Sequence, residues 1–184
     1  MRQPHAALEA LLSDQRLGAV VIGPGLGHEG FARSLLDHAL ESDRALVIDG
    51  DALTSRAIVK RRAPTILTPH SGEFVRLFGA TTGSKMARTR AAAERSGATV
   101  IFKGADTVIA SPEGRLTLAP AGCPWLSTAG TGDVLAGLAG AMLARGLAPH
   151  EAACAAVWLH GEAAWRAGRG FVADDLLEQL DALL

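Results

Sequence analysis

Aromatic side chains are scarce in this sequence, and tyrosine is absent. Only 4% of the 184 residues are aromatic, whereas stacking on aromatic rings is a common way to bind unpaired bases. The formal net charge is −1, and the nearest approach to a basic run is the short segment 60–62. Because nucleic-acid surfaces are basic, we expect no nucleic-acid partner.

Cysteines and long apolar runs are also few. Cys123 and Cys154 are the two cysteines, and their spacing is not that of a metal site or a disulfide framework, which favours a reducing compartment. The apolar runs are no longer than strands, and the first residues lack the plan of a signal peptide. We therefore expect a cytoplasmic protein with no membrane association.

Hydrophobic residues, in contrast, make up 48% of the chain, enough for the core of one domain over residues 1–184. Short apolar segments alternate with segments of helical period, which predicts an α/β fold with a largely parallel sheet and helices on both faces. The predicted strands are 18–23, 45–48, 64–67 and 99–102, followed by a hairpin over 108–119. We expect the first strand to be buried on both faces, helix 85–96 to carry a solvated basic face, and a helix over 173–184 to close the domain.

The most informative segment is Thr128 to Gly137, where a glycine turn leads into a predicted helix. The backbone amides of Gly130, Thr131 and Gly132 would lie at the helix N-terminus, a favourable site for phosphate. Asp133 would then stand beside that phosphate, where it could orient or deprotonate a reacting hydroxyl. Taken alone, the segment is equally consistent with a turn capped by Asp133.

Four further turns follow predicted strands, and the carboxyl ends of parallel strands share one edge of a sheet. They contain the glycine-rich segment 23–27, Asp49 with Asp51, His70, and Lys103 with Gly104. Some of these residues also have a purely structural interpretation. Segment 23–27 could be a tight turn, one of the two aspartates could cap a helix, and His70 could simply face solvent. Their convergence with the Asp133 turn nevertheless favours a phosphate-bearing ligand and a reacting hydroxyl.

These motifs resemble those of the NAD(P)H-hydrate dehydratase family, a branch of the ribokinase-like fold. The matching segments are Gly-Pro-Gly-Leu-Gly at 23–27, Asp-x-Asp-Ala-Leu at 49–53, Thr-Pro-His-x-Gly-Glu at 68–73, Lys-Gly at 103–104, Gly-Thr-Gly-Asp-Val-Leu-x-Gly at 130–137 and Leu-His-Gly at 159–161. The resemblance implies a three-layer α/β/α domain. It also implies repair of hydrated NADH and NADPH at the expense of ADP or ATP, normally with Mg²⁺, through transient phosphorylation of the ring hydroxyl.

The resemblance also implies roles for individual residues. Asp133 would be the catalytic residue. The substrate would contact Asp133, Gly25, Gly27 and His70. The adenine nucleotide would contact Lys103, Gly104, Ala105, Asp106, Thr107, Gly130, Thr131 and Gly132. No residue is assigned as a metal ligand, and oligomers, common in the family, imply a homo-oligomer.

The sequence departs from the family pattern at two points. Family members usually carry further strands and helices before the Gly-Pro-Gly-Leu-Gly turn, so this chain resembles the carboxyl-terminal two-thirds of the domain, with an exposed sheet edge. Trp125 stands where the family commonly has a small residue, close to the nucleotide turn. Two alternative functions stay open: a ribokinase-like kinase for a vitamin precursor or sugar, and a non-catalytic nucleotide-binding remnant.

Overall fold

A computed structural model describes residues 4–80, 82–120 and 122–183 as a three-layer α/β domain. Its six strands are β1 Ala19–Ile22, β2 Ala45–Ile48, β3 Thr65–Leu67, β4 Thr99–Phe102, β5 Thr107–Ala110 and β6 Leu116–Ala119. Its α-helices are α1 Pro4–Ser13, α2 Gly30–Glu41, α3 Ser71–Phe78, α4 Lys85–Ser96, α5 Thr131–Ala144, α6 Pro149–Ala167 and α7 Asp175–Leu180. The predicted alternation of strands and helices is confirmed.

The strands form one sheet in the order of the chain. Strands β1 to β4 run parallel, with Val21 opposite Val47 and Val47 opposite Ile66. The β5–β6 pair is antiparallel, as the predicted hairpin requires, and β4–β5 is antiparallel as well. The turns after β1, β2, β3 and β4 therefore leave the sheet at the same edge.

Successive side chains of each strand point to opposite faces of the sheet and pack into two hydrophobic cores, one on each face. Val47, Ile66 and Ile101 pack with helices α5, α6 and α7. Leu46, Ile48 and their neighbours on that face pack with α2, α3 and α4. This division explains why the central strands β2 to β4 are apolar at nearly every position, with only Thr65 and Thr99 polar, since both of their faces are covered.

The expectation that the first strand is buried on both faces is wrong. Among the described residues, β1 pairs only with β2 and so forms an edge of the sheet. Ile22 is buried, but Val21 is 39% exposed although α5 packs against its face. A hydrophobic run predicts a strand, but it does not tell a central strand from an edge strand.

Helix α5 runs antiparallel to β1, and this direction places its N-terminus at the carboxyl edge of the sheet. Gly18, just before β1, lies against Ala144 at the end of α5. Gly140 lies so close to Val21 that a Cβ there would be 2.6 Å from Val21 Cγ2. The small residues of α5 thus allow close packing on β1.

Two other helices differ from expectation. α7 covers Asp175–Leu180 rather than 173–184. Its start is fixed by the Asp175 carboxylate, which accepts a hydrogen bond from Val172 N. Leu184 lies outside the described residues. The basic side chains of α4 are not simply a solvated face, since the Lys85 ammonium and the Arg88 guanidinium both lie over the Phe102 ring.

Candidate active site

The N-terminus of α5 is the centre of the candidate site. Gly130 precedes the helix with φ of 88°, and among the described residues no side-chain cap is found at this helix start. The buried Thr131 hydroxyl is turned back to the preceding loop, 2.7 Å from Leu126 O and 2.8 Å from Thr128 O. Thr131 N and Asp133 N donate to the carbonyls of Thr128 (3.4 Å) and Gly130 (3.0 Å). Within the described residues, the amide of Gly132 is thus left to face an anion at the positive end of the helix dipole.

A buried ion pair lies directly beside this helix end. Lys103 Nζ is 2.8 Å from Asp49 Oδ1, and the Asp49 side chain is only 3% exposed. A Cβ built on Gly132 would lie 3.4 Å from Lys103 Nζ and 4.0 Å from Asp49 Oδ2. The ammonium is thus fixed against the first turn of α5 by a carboxylate 54 residues away in the chain.

The glycine-rich turn after β1, residues 23–27, lies at the same carboxyl edge of the sheet. Gly23 has φ of 128°, and a Cβ there would lie 1.7 Å from Asp49 O, so only glycine fits this close approach of two turns. Asp51 does not cap a helix through its side chain, contrary to one sequence expectation. Its carboxylate instead accepts a hydrogen bond of 2.9 Å from Gly27 N and holds the glycine-rich turn to the next one.

His70 has a structural function that the sequence analysis missed. Its Nδ1 accepts hydrogen bonds from Gly72 N (3.0 Å) and Glu73 N (3.3 Å), and Glu73 Oε2 accepts one from His70 N (2.8 Å). This capping box starts α3. The ring remains largely exposed, and because Nδ1 accepts, a neutral ring carries its proton on Nε2. The His-x-x-Glu spacing was the available signal.

The α5 terminus and Lys103 open onto a cleft of about 970 Å³. Six of the predicted nucleotide contacts line it: Lys103, Gly104, Ala105, Thr107, Thr131 and Gly132. Asp106 does not, because its carboxylate is turned to Lys85, 3.0 Å away. Gly27 lines a separate cavity of about 390 Å³ together with Asp51 and Arg33.

The remaining predicted residues line neither cavity. Asp133 lies in the first turn of α5 with an exposed side chain, and within the described ranges no side chain is in hydrogen-bonding or ion-pairing contact with its carboxylate. Gly25 is open to solvent, since no atom comes within 4 Å of a Cβ built there. His70 lies near Lys103 at the carboxyl edge of the sheet, because the carbonyl of its neighbour Pro69 accepts a hydrogen bond of 2.9 Å from Lys103 N.

Two tryptophans and one histidine in the cleft were not predicted as site residues. Trp158 and Trp165 are 59% and 61% exposed and line the cleft from one side of α6. Their seven-residue spacing, two turns of helix, was the available signal. Trp125, which the sequence analysis singled out, lies in the short 3₁₀ turn Pro124–Ser127 and lines neither cavity.

His160 lines the same cleft but is itself buried. Its Nε2 is buried and has no hydrogen-bond partner within the described part of the chain. Burial lowers the pKa of His160 to about 4; the Thr131 backbone opposes this shift, and the positive charge of Lys103 adds to it. The imidazole is therefore neutral at physiological pH and supports the first turn of α5 without adding charge.

We expect this buried histidine to make the fold sensitive to acid. The unfolded chain takes up the proton near pH 6.5, whereas the folded chain does so only near pH 4. The free energy of unfolding therefore falls as the pH drops through this window, by about 3 kcal/mol from this group. Urea unfolding between pH 4 and 7 measures how steeply the free energy of unfolding depends on pH. In His160→Gln, the part of this slope that comes from His160 should be lost. An unchanged slope in the variant would contradict this assignment.

Metal clusters and membrane-spanning helices are both absent from the described residues. Across residues 4–80, 82–120 and 122–183, no group of three or more His, Cys, Asp or Glu side chains is arranged to hold a metal ion. None of the helices in those ranges has the length and apolar character needed to cross a bilayer.

Comparison with known proteins identifies relatives of this chain. The family model described as NAD(P)H-hydrate dehydratase matches residues 2–182. The bifunctional NAD(P)H-hydrate repair enzyme Nnr of Mycobacterium leprae is 47% identical over 155 residues, which are 81% of this chain and 33% of that protein. The ADP-dependent (S)-NAD(P)H-hydrate dehydratase of Neisseria meningitidis is 39% identical over 169 residues, 85% of this chain and 57% of that protein.

A solved structure is similar in fold as well. The ADP/ATP-dependent NAD(P)H-hydrate dehydratase of Bacillus subtilis, co-crystallised with ATP and Mg²⁺, superposes with a TM-score of 0.82 at 34% identity, covering 90% of this chain and 63% of that one. The expected ribokinase-like architecture is thereby confirmed. The chain spans between a third and two-thirds of the length of these relatives. Since the family model matches nearly every residue, the chain belongs to the NAD(P)H-hydrate dehydratase family.

Proposed function

We propose that this chain restores NAD(P)H from its hydrate, using ADP or ATP as phosphate donor. The observation that carries the proposal is the meeting of Lys103, paired with Asp49, and the uncapped end of α5 at the mouth of one large cleft. Relatives named for this activity have the same fold. The adenine nucleotide would occupy the cleft, and its terminal phosphates would lie at Lys103 and the first amides of α5.

Asp133 is the residue we assign to the reacting hydroxyl. It belongs to the same first turn as Gly132, which adjoins Lys103, so a hydroxyl bound at its carboxylate stands next to the phosphate site. The carboxylate orients the hydroxyl of the hydrated ring and accepts its proton as the oxygen attacks the terminal phosphorus. The phosphorylated oxygen then leaves as inorganic phosphate, pushed out by the electron pair of the ring nitrogen, and loss of a ring proton restores the reduced nicotinamide.

Substrate contacts are proposed for the glycine-rich turn and His70. Gly25 and Gly27 present backbone rather than side chains, and the Gly27 amide is oriented by Asp51. The His70 side chain is exposed; its Nδ1 is occupied by the start of α3, and its Nε2 lies 3.3 Å from Glu73 Oε1, a contact that a bound substrate would share or replace. Both lie on turns at the same sheet edge as Asp133, which suits a dinucleotide that reaches from the glycine turn to α5.

Mg²⁺ is expected to accompany the nucleotide. The described residues offer no three-ligand cluster, and Asp49 is already occupied by Lys103. The exposed Asp133 carboxylate is the group at this helix end that could contact the ion or its water. Mg²⁺ commonly binds through substrate phosphates and one or two carboxylates, and when bound it would neutralise charge on the transferred phosphoryl group.

Release of inorganic phosphate separates this function from the alternatives. With hydrated NADH and ADP, we expect one phosphate and one AMP to form for each NADH restored, measurable by a phosphate assay and chromatography. A small-molecule kinase would instead accumulate a stable phosphorylated product and ignore the hydrate. A non-catalytic remnant would bind ADP without forming either product. Either outcome would contradict the proposal.

The homo-oligomer and the cytoplasmic location stay predictions. Strand β1 ends the sheet with Val21 partly exposed, and exposed sheet edges are often covered by another chain. Light scattering of the purified chain measures its oligomeric state directly.

A further inference from the structure

Five of the predicted nucleotide contacts are residues 103–106, which form the loop between β4 and β5, and Thr107, the first residue of β5. A lysine of α4 holds this loop. Lys85, the first residue of α4, donates hydrogen bonds to Lys103 O (3.4 Å) and to the Asp106 carbonyl. Its ammonium also lies 3.0 Å from Asp106 Oδ1. One side chain thus binds both sides of the loop that lines the cleft.

The position of this ammonium is fixed by its surroundings. The Lys85 side chain is only 20% exposed, and Nζ lies 4.6 Å from the centroid of the Phe102 ring. That ring is itself buried and stacks on Phe74 at 4.0 Å. Ser84 accepts a hydrogen bond from Ala87 N and so fixes where α4 begins. A cation over a buried ring at a fixed helix start is well ordered.

The absence of a side chain at Gly104 leaves space for the Lys85 ammonium. A Cβ at position 104 would lie 2.7 Å from Lys85 Nζ, so a larger residue would displace the ammonium. The glycine of the Lys-Gly motif therefore leaves room for Lys85 on one side, while the loop backbone lines the nucleotide cleft on the other.

We propose that Lys85 is a positioning residue for the adenine nucleotide. It does not line the cleft; it acts by holding the 103–106 backbone so that Gly104, Ala105 and Thr107 face the nucleotide and Lys103 reaches Asp49. This inference rests on the proposed nucleotide site, but it does not depend on the identity of the second substrate.

Direct titration with ADP tests the inference. We expect Lys85→Met, which keeps the aliphatic stem over Phe102 but removes the charge, to weaken ADP binding about tenfold by calorimetry, a loss typical of charge-assisted hydrogen bonds. The KM for ADP should rise by a similar factor, while the KM for the hydrate and kcat stay within twofold of the original. Lys85→Gln, which keeps one donor, should be intermediate, and Lys85→Arg should restore most of the affinity.

The matched control is Arg90→Met, which removes a positive charge from an exposed position on the same helix. Its ADP affinity should equal that of the unsubstituted chain, and urea unfolding verifies that each variant is folded. Equal ADP affinities for Lys85→Met and Arg90→Met, or a loss confined to kcat, would overturn the role of Lys85 alone. Failure of the unsubstituted chain to bind ADP would overturn the nucleotide site itself.

Discussion

Replacing Asp133 by asparagine should lower the rate of NADH restoration by about a thousandfold, within the range for loss of a catalytic acid or base. The change removes the negative charge and proton acceptor but keeps the size of the side chain. Because the Asp133 side chain is exposed and lines neither cavity, the ADP dissociation constant measured without Mg²⁺ should change less than twofold. Calorimetry with ADP and a steady-state rate assay measure the two effects separately.

Asp181→Asn is the control for this prediction, since it removes an exposed carboxylate just beyond α7. Its turnover should match that of the unsubstituted chain. A tenfold or larger loss of ADP affinity in Asp133→Asn would show that Asp133 holds the nucleotide or the helix start. Turnover close to the original would remove it from the chemistry.

Replacing Lys103 by methionine should have two large effects. The first is on stability, because Asp49 would be left charged and buried without its partner. Such a loss costs about 3 kcal/mol of unfolding free energy, at the lower end of the range for broken buried ion pairs since Lys103 is partly exposed. The second is on binding, because the ammonium beside the α5 terminus would be gone, and we expect ADP to bind at least tenfold more weakly.

A double variant separates these two effects. Asp49→Asn combined with Lys103→Met removes both charges, so much of the lost stability should return. ADP affinity should stay low, because the positive charge is still missing. Urea unfolding and calorimetry on the two single variants and the double variant complete the cycle. Recovery of ADP affinity together with stability would show that Lys103 serves the fold and does not contact the nucleotide.

The fold could be predicted from the sequence to a large extent because its signals are local. Apolar runs locate β2, β3 and β4 within a residue or two, and Gly97 ends α4 as a left-handed cap. The apolar run of β1 alone does not reveal its edge position, because burial of a strand depends on its neighbours in the sheet; the exposed edge was expected only from the resemblance to a longer domain. The short α7 likewise depends on one contact, from Val172 N to the Asp175 carboxylate.

The site could be predicted only in part, since contacts between distant residues leave no local signal. The glycine turns and the start of α5 were found because their residue types require a turn and a helix end. The pairing of Lys103 with Asp49 joins positions 54 apart, and Lys85 reaches Asp106 from another helix. For His70, a motif suggested a substrate contact, which stays a prediction, and the structure adds a helix cap.

The central claim is that this chain, with the elements it contains, dehydrates the hydrated cofactor at the expense of an adenine nucleotide. The most direct measurement is absorbance at the reduced-nicotinamide band after mixing the purified chain with hydrated NADH, Mg²⁺ and either ADP or ATP. We predict a rise that requires the nucleotide and is lost in Asp133→Asn. No rise with either nucleotide, from protein that unfolds cooperatively in urea and binds ADP, would contradict the claim.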